Sequence, residues 1–523
     1  MTRFKVLVLT FCALVAKHEA ARILAVFPVP SISHQVVFRP LTLELAKRGH
    51  EVIVITTDPI YPKGKGPANF TEIDVHDLSY EAWKENFIKS DAATSGDKSD
   101  LQSQMFVIYK TMNKVFEMQL LTPEVQKLIH DKSQKFDLLI VEAAMLSAVG
   151  FTHVFKVPVI QFSSFGAIIH NLGTMGMPMH PIIFSTSVRQ RVHNLSKWEK
   201  LSEFYNFIRL SRYWAICEEE SDQMLKKVFG PDIPKQSELR NNVDLLFLNV
   251  NPIWENNRPS PPNVIYTGGV HQNPVQDLPQ DLKSYLDSSK HGVIYFSLGT
   301  NVEPALLPPE RIQNLINVFS KLPYDILWKW NKDELPGRTE NIRISKWLPQ
   351  SDLLRHPKIK MFITQGGLQS TDEAITAGVP LIGIPMLGDQ WYNVEQYVYH
   401  KIGLQVDMET VTEENFANAI NTIINNESKY RENIAKLRSL MKDQPQAPLE
   451  RAVWWTEYVI RHSGARHLRS PSANLPWYQY FELELVAYFL IGLLSLLISI
   501  VYAVYYLIKV FKQYKTSIKF KNS

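Results

Sequence analysis

The sequence predicts an α/β protein of two doubly wound halves facing a cleft, followed by one membrane-spanning helix. Three observations carry this. Short continuous apolar runs alternate with helix-length stretches in two successive series. A proline-rich segment at 256–263 separates the series, and Leu485 to Ile508 is a run of 24 residues without a formal charge. Buried parallel strands read as unbroken apolar runs because helices cover both faces of their sheet. The plan is a signal peptide at 1–21, one half at 22–255, a second at 256–475 with a returning C-terminal helix, a membrane helix at 485–508 and a tail at 509–523.

The first element is the leader. Arg3 and Lys5 precede the apolar run Val6 to Ala16, and small residues Ala20 and Ala21 follow. That is the pattern of a secretory signal peptide. Its removal takes Cys12 with it, and Cys217 alone cannot form an internal disulfide. Stability must then come from the core, which several hundred residues can supply.

In the first half, Ile23 to Phe27 leads into a helical pattern from about Gln35 to Lys47, stopped by Gly49, and then Val52 to Ile55. Leu138 to Val141, Val159 to Phe162 and Val243 to Leu248 read as further strands, while 165–240 is mostly helical. The second half repeats the alternation with Val293 to Ser297, Ile326 to Trp328, Ile342 to Ser345, Met361 to Thr364 and Leu381 to Ile384. Open sheets of this kind bind ligands beyond the carboxyl ends of their strands.

At about 1.5 Å per residue, the uncharged run spans the roughly 30 Å hydrocarbon core of a bilayer. Trp477, Tyr478 and Tyr480 stand before it, where aromatic rings favour the interface. Five lysines (Lys509, Lys512, Lys515, Lys519, Lys521) follow, which places the tail in the cytosol and the large domains across the membrane. Lys519 and Lys521, fifth and third from the end, resemble a dilysine retrieval signal of endoplasmic reticulum proteins; the alternative is a plain stop-transfer flank. A single-pass type I protein of that membrane would carry its sequons, Asn69, Asn194 and Asn426, on the lumenal side. The net charge is +4, so the body without the tail lysines is near neutral. No basic footprint for nucleic acid remains.

The densest chemistry lies in Phe362-Ile363-Thr364-Gln365-Gly366-Gly367-Leu368-Gln369-Ser370-Thr371-Asp372-Glu373. A strand runs into paired glycines and then a helix starting near Ser370. Backbone can approach a ligand at the glycines, and a helix N-terminus offers free N–H groups to a diphosphate. Ser370 and Glu373 also have the spacing of a capping box, which needs no ligand. Trp347-Leu348-Pro349-Gln350 precedes this block, and Asp389-Gln390 follows it.

Together these residues resemble the signature of the UDP-glycosyltransferase family, the detoxifying type of the endoplasmic reticulum, and within it the insect members. The resemblance implies two Rossmann-like domains facing a cleft, the GT-B type. It places Trp347 on the uracil, Gln350 on the uridine, Glu373 on the ribose hydroxyls, and Ser370 with the backbone around Gly367 and Gln369 on the diphosphate. It places Thr300 and Arg258 as further phosphate contacts and Asp389 and Gln390 on the sugar hydroxyls. Gln365 stands where the family usually has His; its amide can donate but carries no charge at any pH.

His34 follows the first strand and Glu142 follows Leu138 to Val141, so both sit at strand carboxyl ends of one sheet. A carboxylate behind a His holds its tautomer and stabilises the imidazolium. By resemblance, His34 is the base that deprotonates the acceptor, with Glu142, where the family usually has Asp, as its support. There is no Asp-x-Asp pair and no Cys/His cluster, so no metal or other cofactor is expected.

The expectation is inverting transfer of a hexose, glucose rather than glucuronate, from a UDP-sugar to a hydroxyl of a small lipophilic acceptor. Acceptor contacts are expected from Phe165 to Trp214, where Met and aromatic side chains can adapt. The rival is a membrane-tethered UDP-sugar or lipophile-binding protein of the same fold with little turnover, suggested by Gln365 and Glu142. A homo-oligomer stays open.

Overall fold

The computed structural model describes residues 20–90, 93, 100–184 and 186–521, with side chains as far as 518. Residues 1–19 of the expected signal peptide, Cys12 among them, and the side chains of Lys519 and Lys521 lie outside the described residues.

The first sheet contains β1 (Arg22–Phe27), β2 (Glu51–Thr56), β3 (Phe70–Asp74), β4 (Leu138–Glu142), β5 (Val159–Ser163), β6 (Val243–Leu248) and β7 (Val264–Tyr266). All pair in parallel, in the order β3-β2-β1-β4-β5-β6-β7. The second contains β8 (Val293–Ser297), β9 (Asp325–Lys329), β10 (Ile342–Ser345), β11 (Ile359–Thr364), β12 (Leu381–Gly383) and β13 (Gly403–Gln405), parallel in the order β10-β9-β8-β11-β12-β13. The apolar runs become these strands because both sheet faces are covered: β4, β5, β6 and β8 are buried at every position. Strands β3, β7 and β13 were not legible as apolar runs. The first is an edge strand with four of its five residues exposed or partly so, and the other two are three residues long.

The proline-rich segment does not join the halves. It connects β6 to β7 inside the first sheet, so the crossing to the second half comes after Tyr266.

Helix α1 (Ile32–Lys47) follows β1 and is pinned to it by Phe38, whose ring stacks on Phe27 at 4.1 Å and meets Phe162 at 5.1 Å. A buried Phe of this kind stabilises the fold by roughly 1.5–3 kcal/mol. In the first half, α2 (Leu101–Leu120) packs against α3 (Lys197–Phe229), whose N-terminus is closed by a capping box between Ser196 and Glu199. In the second half, α4 (Leu368–Ala377) follows β11, α5 (Gln390–Tyr399) follows β12, and α6 (Glu427–Lys442) packs behind α4. Helix α7 (Pro448–Arg461) then returns to the first half. There its Ala452, Val453 and Val459 join the core under β1, and Arg451 donates to Tyr266 O at 2.8 Å.

Helix α8 (Leu483–Lys521) stands apart from both halves with its apolar side chains exposed. It is long and apolar enough to cross a membrane and fits an anchor.

Candidate active site

Strands β1 and β4 are neighbours with Val26 opposite Val141. The turn leaving β1 therefore meets the last residue of β4, which is Glu142. His34, in the first turn of α1, lies over it: Nδ1 is 2.6 Å from Glu142 Oε1, and Val29 N–H donates to Oε2 at 3.2 Å. Glu142 is fully buried, while the imidazole is partly open and touches the Phe165 ring edge-on at 5.5 Å. Nε2 makes no hydrogen bond among the described residues and is left for the cleft. The extra methylene of Glu142 does not prevent the contact.

The cleft between the two sheets holds about 320 Å³ and is lined by His34 and Phe165 from the first half. From the second half it is lined by Thr300, Lys329, Trp347, Gln350, Gln365, Gly367, Gln369, Ser370, Glu373, Asp389 and Gln390. Thus residues more than 300 positions apart share one space, at the carboxyl ends of both sheets, as the Rossmann-like reading requires.

Helix α4 begins at Leu368 with Gly367 as its N-cap and no side-chain cap. The capping box expected from Ser370 and Glu373 does not form, because the helix starts earlier and both lie within it. Instead Gln350 Nε2 donates to Ser370 Oγ and to Glu373 Oε2, each at 2.8 Å, and Tyr295 OH donates to Gln350 Oε1 at 3.0 Å. The Gln350 side chain thereby holds Glu373 in place. Burial pushes Glu373 up to about 7, against the opposing hydrogen bond from Gln350. Gly366 has φ +90°, and a Cβ there would come within 2.6 Å of Val394, so the turn into α4 needs glycine.

Gln365 is buried, its Oε1 has no partner, and its amide makes no hydrogen bond among the described residues. Asp389 accepts from Asn393 Nδ2 at 3.0 Å; burial raises its carboxyl, with the His34 charge acting in the opposite sense. Gln390 Oε1 accepts from the N–H groups of Met386 and Leu387, and Gln369 Nε2 donates across the halves to Ser164 O at 2.8 Å. Trp347 is 63% exposed, an unusual state for an indole and one suited to a planar ligand.

Sequence reasoning missed Lys329. Its Nζ donates to Gly299 O at 2.9 Å and sits 4.8 Å from the Trp347 ring centroid, and burial pushes it down to about 8. A cation ending the apolar strand β9 at its carboxyl end was the available signal.

Two expected residues fall elsewhere. Arg258 is buried in the first half, donating to Pro178 O at 3.0 Å and Phe184 O at 2.9 Å, and does not line the cleft. It closes a loop because the segment carrying it lies within the first sheet's connections. Asn69 is half-buried, with Nδ2 donating to Ala46 O at 2.7 Å and His50 O at 2.9 Å, so both amide hydrogens are engaged. Asn194 and Asn426 are exposed.

Residues 22–519 match the family described as UDP-glucoronosyl and UDP-glucosyl transferase. The chain is 35% identical over 510 residues to an ecdysteroid UDP-glucosyltransferase of Spodoptera littoralis nuclear polyhedrosis virus, covering 94% of this chain and 98% of that protein. It is 32% identical over 528 residues to UDP-glycosyltransferase UGT5 of Dactylopius coccus, covering 98% and 97%. The fold is shared with the glycosyltransferase VinC in complex with DTDP (TM-score 0.56, 15% identity, 84% of this chain and 99% of that chain). It is also shared with a UDP-glucosyltransferase from Polygonum tinctorium (TM-score 0.56, 16% identity, 85% and 100%). These neighbours have the GT-B fold seen here in two parallel sheets, and the chain belongs to the UDP-glucuronosyl and UDP-glucosyl transferase family as a glycosyltransferase that moves a sugar from a UDP-sugar to an acceptor.

Proposed function

We propose that the chain transfers glucose from UDP-glucose, with inversion, to a hydroxyl of a small lipophilic acceptor, using His34 as base and Glu142 as its support. The observation that carries this is the 2.6 Å contact between His34 and a fully buried Glu142 at the edge of the cleft. With Nδ1–H donated to Glu142, Nε2 presents its lone pair to the acceptor hydroxyl. The acceptor oxygen bonds to the anomeric carbon, its proton passes to Nε2, and the bond to the diphosphate breaks with its electron pair leaving on UDP. The N-terminus of α4 and Lys329 offset the charge on the leaving group, and the transfer is metal-independent. Relatives named for ecdysteroid glucosylation support glucose and a steroid-like acceptor. Placement in the endoplasmic reticulum membrane, with the domains lumenal, rests on the apolar stretch of α8 and the lysines in its last turns.

Product formation from UDP-glucose, UDP-glucuronate and UDP-galactose with a phenolic acceptor tests the reading. Glucose transfer should dominate, and His34→Ala should lower kcat by about 10²–10⁴-fold without loss of UDP binding. Full activity in His34→Ala would refute the base. UDP-sugar binding without transfer to any acceptor would favour a binding protein, which has no need of a buried His–Glu pair.

A further inference from the structure

A second cavity, of about 410 Å³, lies behind α4 on the side away from the cleft. Its walls come from both crossings between the halves: Gly268 to Gln272 after β7, and Gln444 to Pro448 before α7. Gln272 fastens the first crossing to α4, donating to Asp372 O at 3.2 Å and accepting from Thr376 Oγ1 at 2.9 Å. Asn251 Nδ2 reaches Met441 O, at the end of α6, at 3.2 Å.

Asp372 lines this cavity and is 6% exposed, and its carboxylate has neither a hydrogen bond nor an ion pair among the described residues. Burial and the neighbouring Glu373 push it up to about 7. Arg438 and Lys442 line the same space; Lys442 acts on Asp372 electrostatically, but no ion pair closes between them. A largely buried carboxylate is disfavoured in its charged form unless a donor or cation meets it. A purely cationic ligand would face Arg438 and Lys442, and a purely anionic one would face Asp372. A ligand with both charges fits each wall.

We propose that this cavity is a second ligand site, for a small zwitterion: a free α-amino acid whose ammonium pairs with Asp372 and whose carboxylate meets Arg438 and Lys442. Because the cavity is built on both crossings and on α4, its occupant braces the halves and the helix that carries Ser370 and Glu373.

The test is equilibrium binding and thermal shift on the full-length protein in detergent, with each proteinogenic L-amino acid against its N-acetyl and α-amide forms. At least one free amino acid should bind saturably, and each blocked form should bind weaker by about tenfold or more. Asp372→Asn and Lys442→Ala should each weaken it by about tenfold while UDP affinity stays within about twofold. Saturable binding by none, equal binding of the N-acetyl form, or unchanged binding in Asp372→Asn would overturn the proposal. Should Asp372→Asn lose UDP binding too, it has misfolded, and Lys442→Ala, on an exposed side chain, decides alone: unchanged affinity there rejects the site.

Discussion

His34 Nδ1 stands 2.6 Å from Glu142 Oε1, and the carboxylate beneath the ring is fully buried. The pair is fixed from both sides. Stacked Phe27 and Phe38 hold α1 on β1, and the pairing of β1 with β4 sets Glu142 at the carboxyl end of the sheet beside the turn that leaves β1.

Replacing Glu142 by Gln keeps the shape but removes the charge that stabilises the imidazolium formed in transfer. Transfer by Glu142→Gln should fall in kcat by about 10²–10⁴-fold, as for loss of the base itself, with KM for the donor little changed. Glu142→Asp should retain part of the rate. A steady-state series with UDP-glucose distinguishes the two; a Gln variant with parental kcat rejects the support role.

Trp347 keeps most of its ring in solvent, with Lys329 on it at 4.8 Å. Stacking of a base on an aromatic side chain contributes about 1–3 kcal/mol. Calorimetry should therefore show a rise in UDP Kd of about 5–150-fold for Trp347→Ala, and little change in the fold's stability.

Glu373 must be ionised to accept two ribose hydroxyls, yet burial holds it near 7. UDP affinity should accordingly strengthen as pH rises through about 7, and Glu373→Gln should flatten that dependence. Stability runs the other way. Glu373 and Asp372 have folded values raised above their ordinary 4.5 and 3.8, so the folded state binds more protons between those values and about 7. Stability is fully present at the acid end and lost as pH climbs. The melting temperature of Asp372→Asn relative to the parent should rise across the same interval; a constant difference would contradict the burial argument.

Gln365 brings no titrating group to the phosphate end of the cleft. Gln365→His introduces an imidazole whose ordinary value is about 6.5, and it should bind UDP more tightly than the parent at acid pH and equally at alkaline pH. The ratio of the two dissociation constants across pH isolates this effect from Glu373. A ratio that does not move shows that position 365 is remote from the phosphates.

Glycans should sit on Asn194 and Asn426 but not Asn69. Glycosidase treatment of protein from a secretory host should shift Asn69→Gln as it shifts the parent, whereas Asn194→Gln and Asn426→Gln should each reduce the shift. Loss of a glycan in Asn69→Gln would mean that its amide is freed from Ala46 O and His50 O before folding.

The amino-acid sequence shows the two strand–helix series, the apolar anchor and the residue types of the donor grip. These features are local: an apolar run, a Gly-Gly turn or an uncharged helix is legible wherever burial or chain geometry acts on neighbours in sequence. It could not show that the proline-rich segment lies inside the first sheet, because that depends on Val264–Tyr266 pairing with β6, a contact of three residues. Which polar side chains face the cleft depends on packing between distant segments. Arg258 is drawn to the carbonyls of Pro178 and Phe184, Lys329 arrives from the end of β9, and Gln350 turns to hold Glu373. Asp372 and Glu373, adjacent in sequence, face different cavities because successive residues on a helix point about 100° apart, and that separation exists only once α4 is packed between the two crossings.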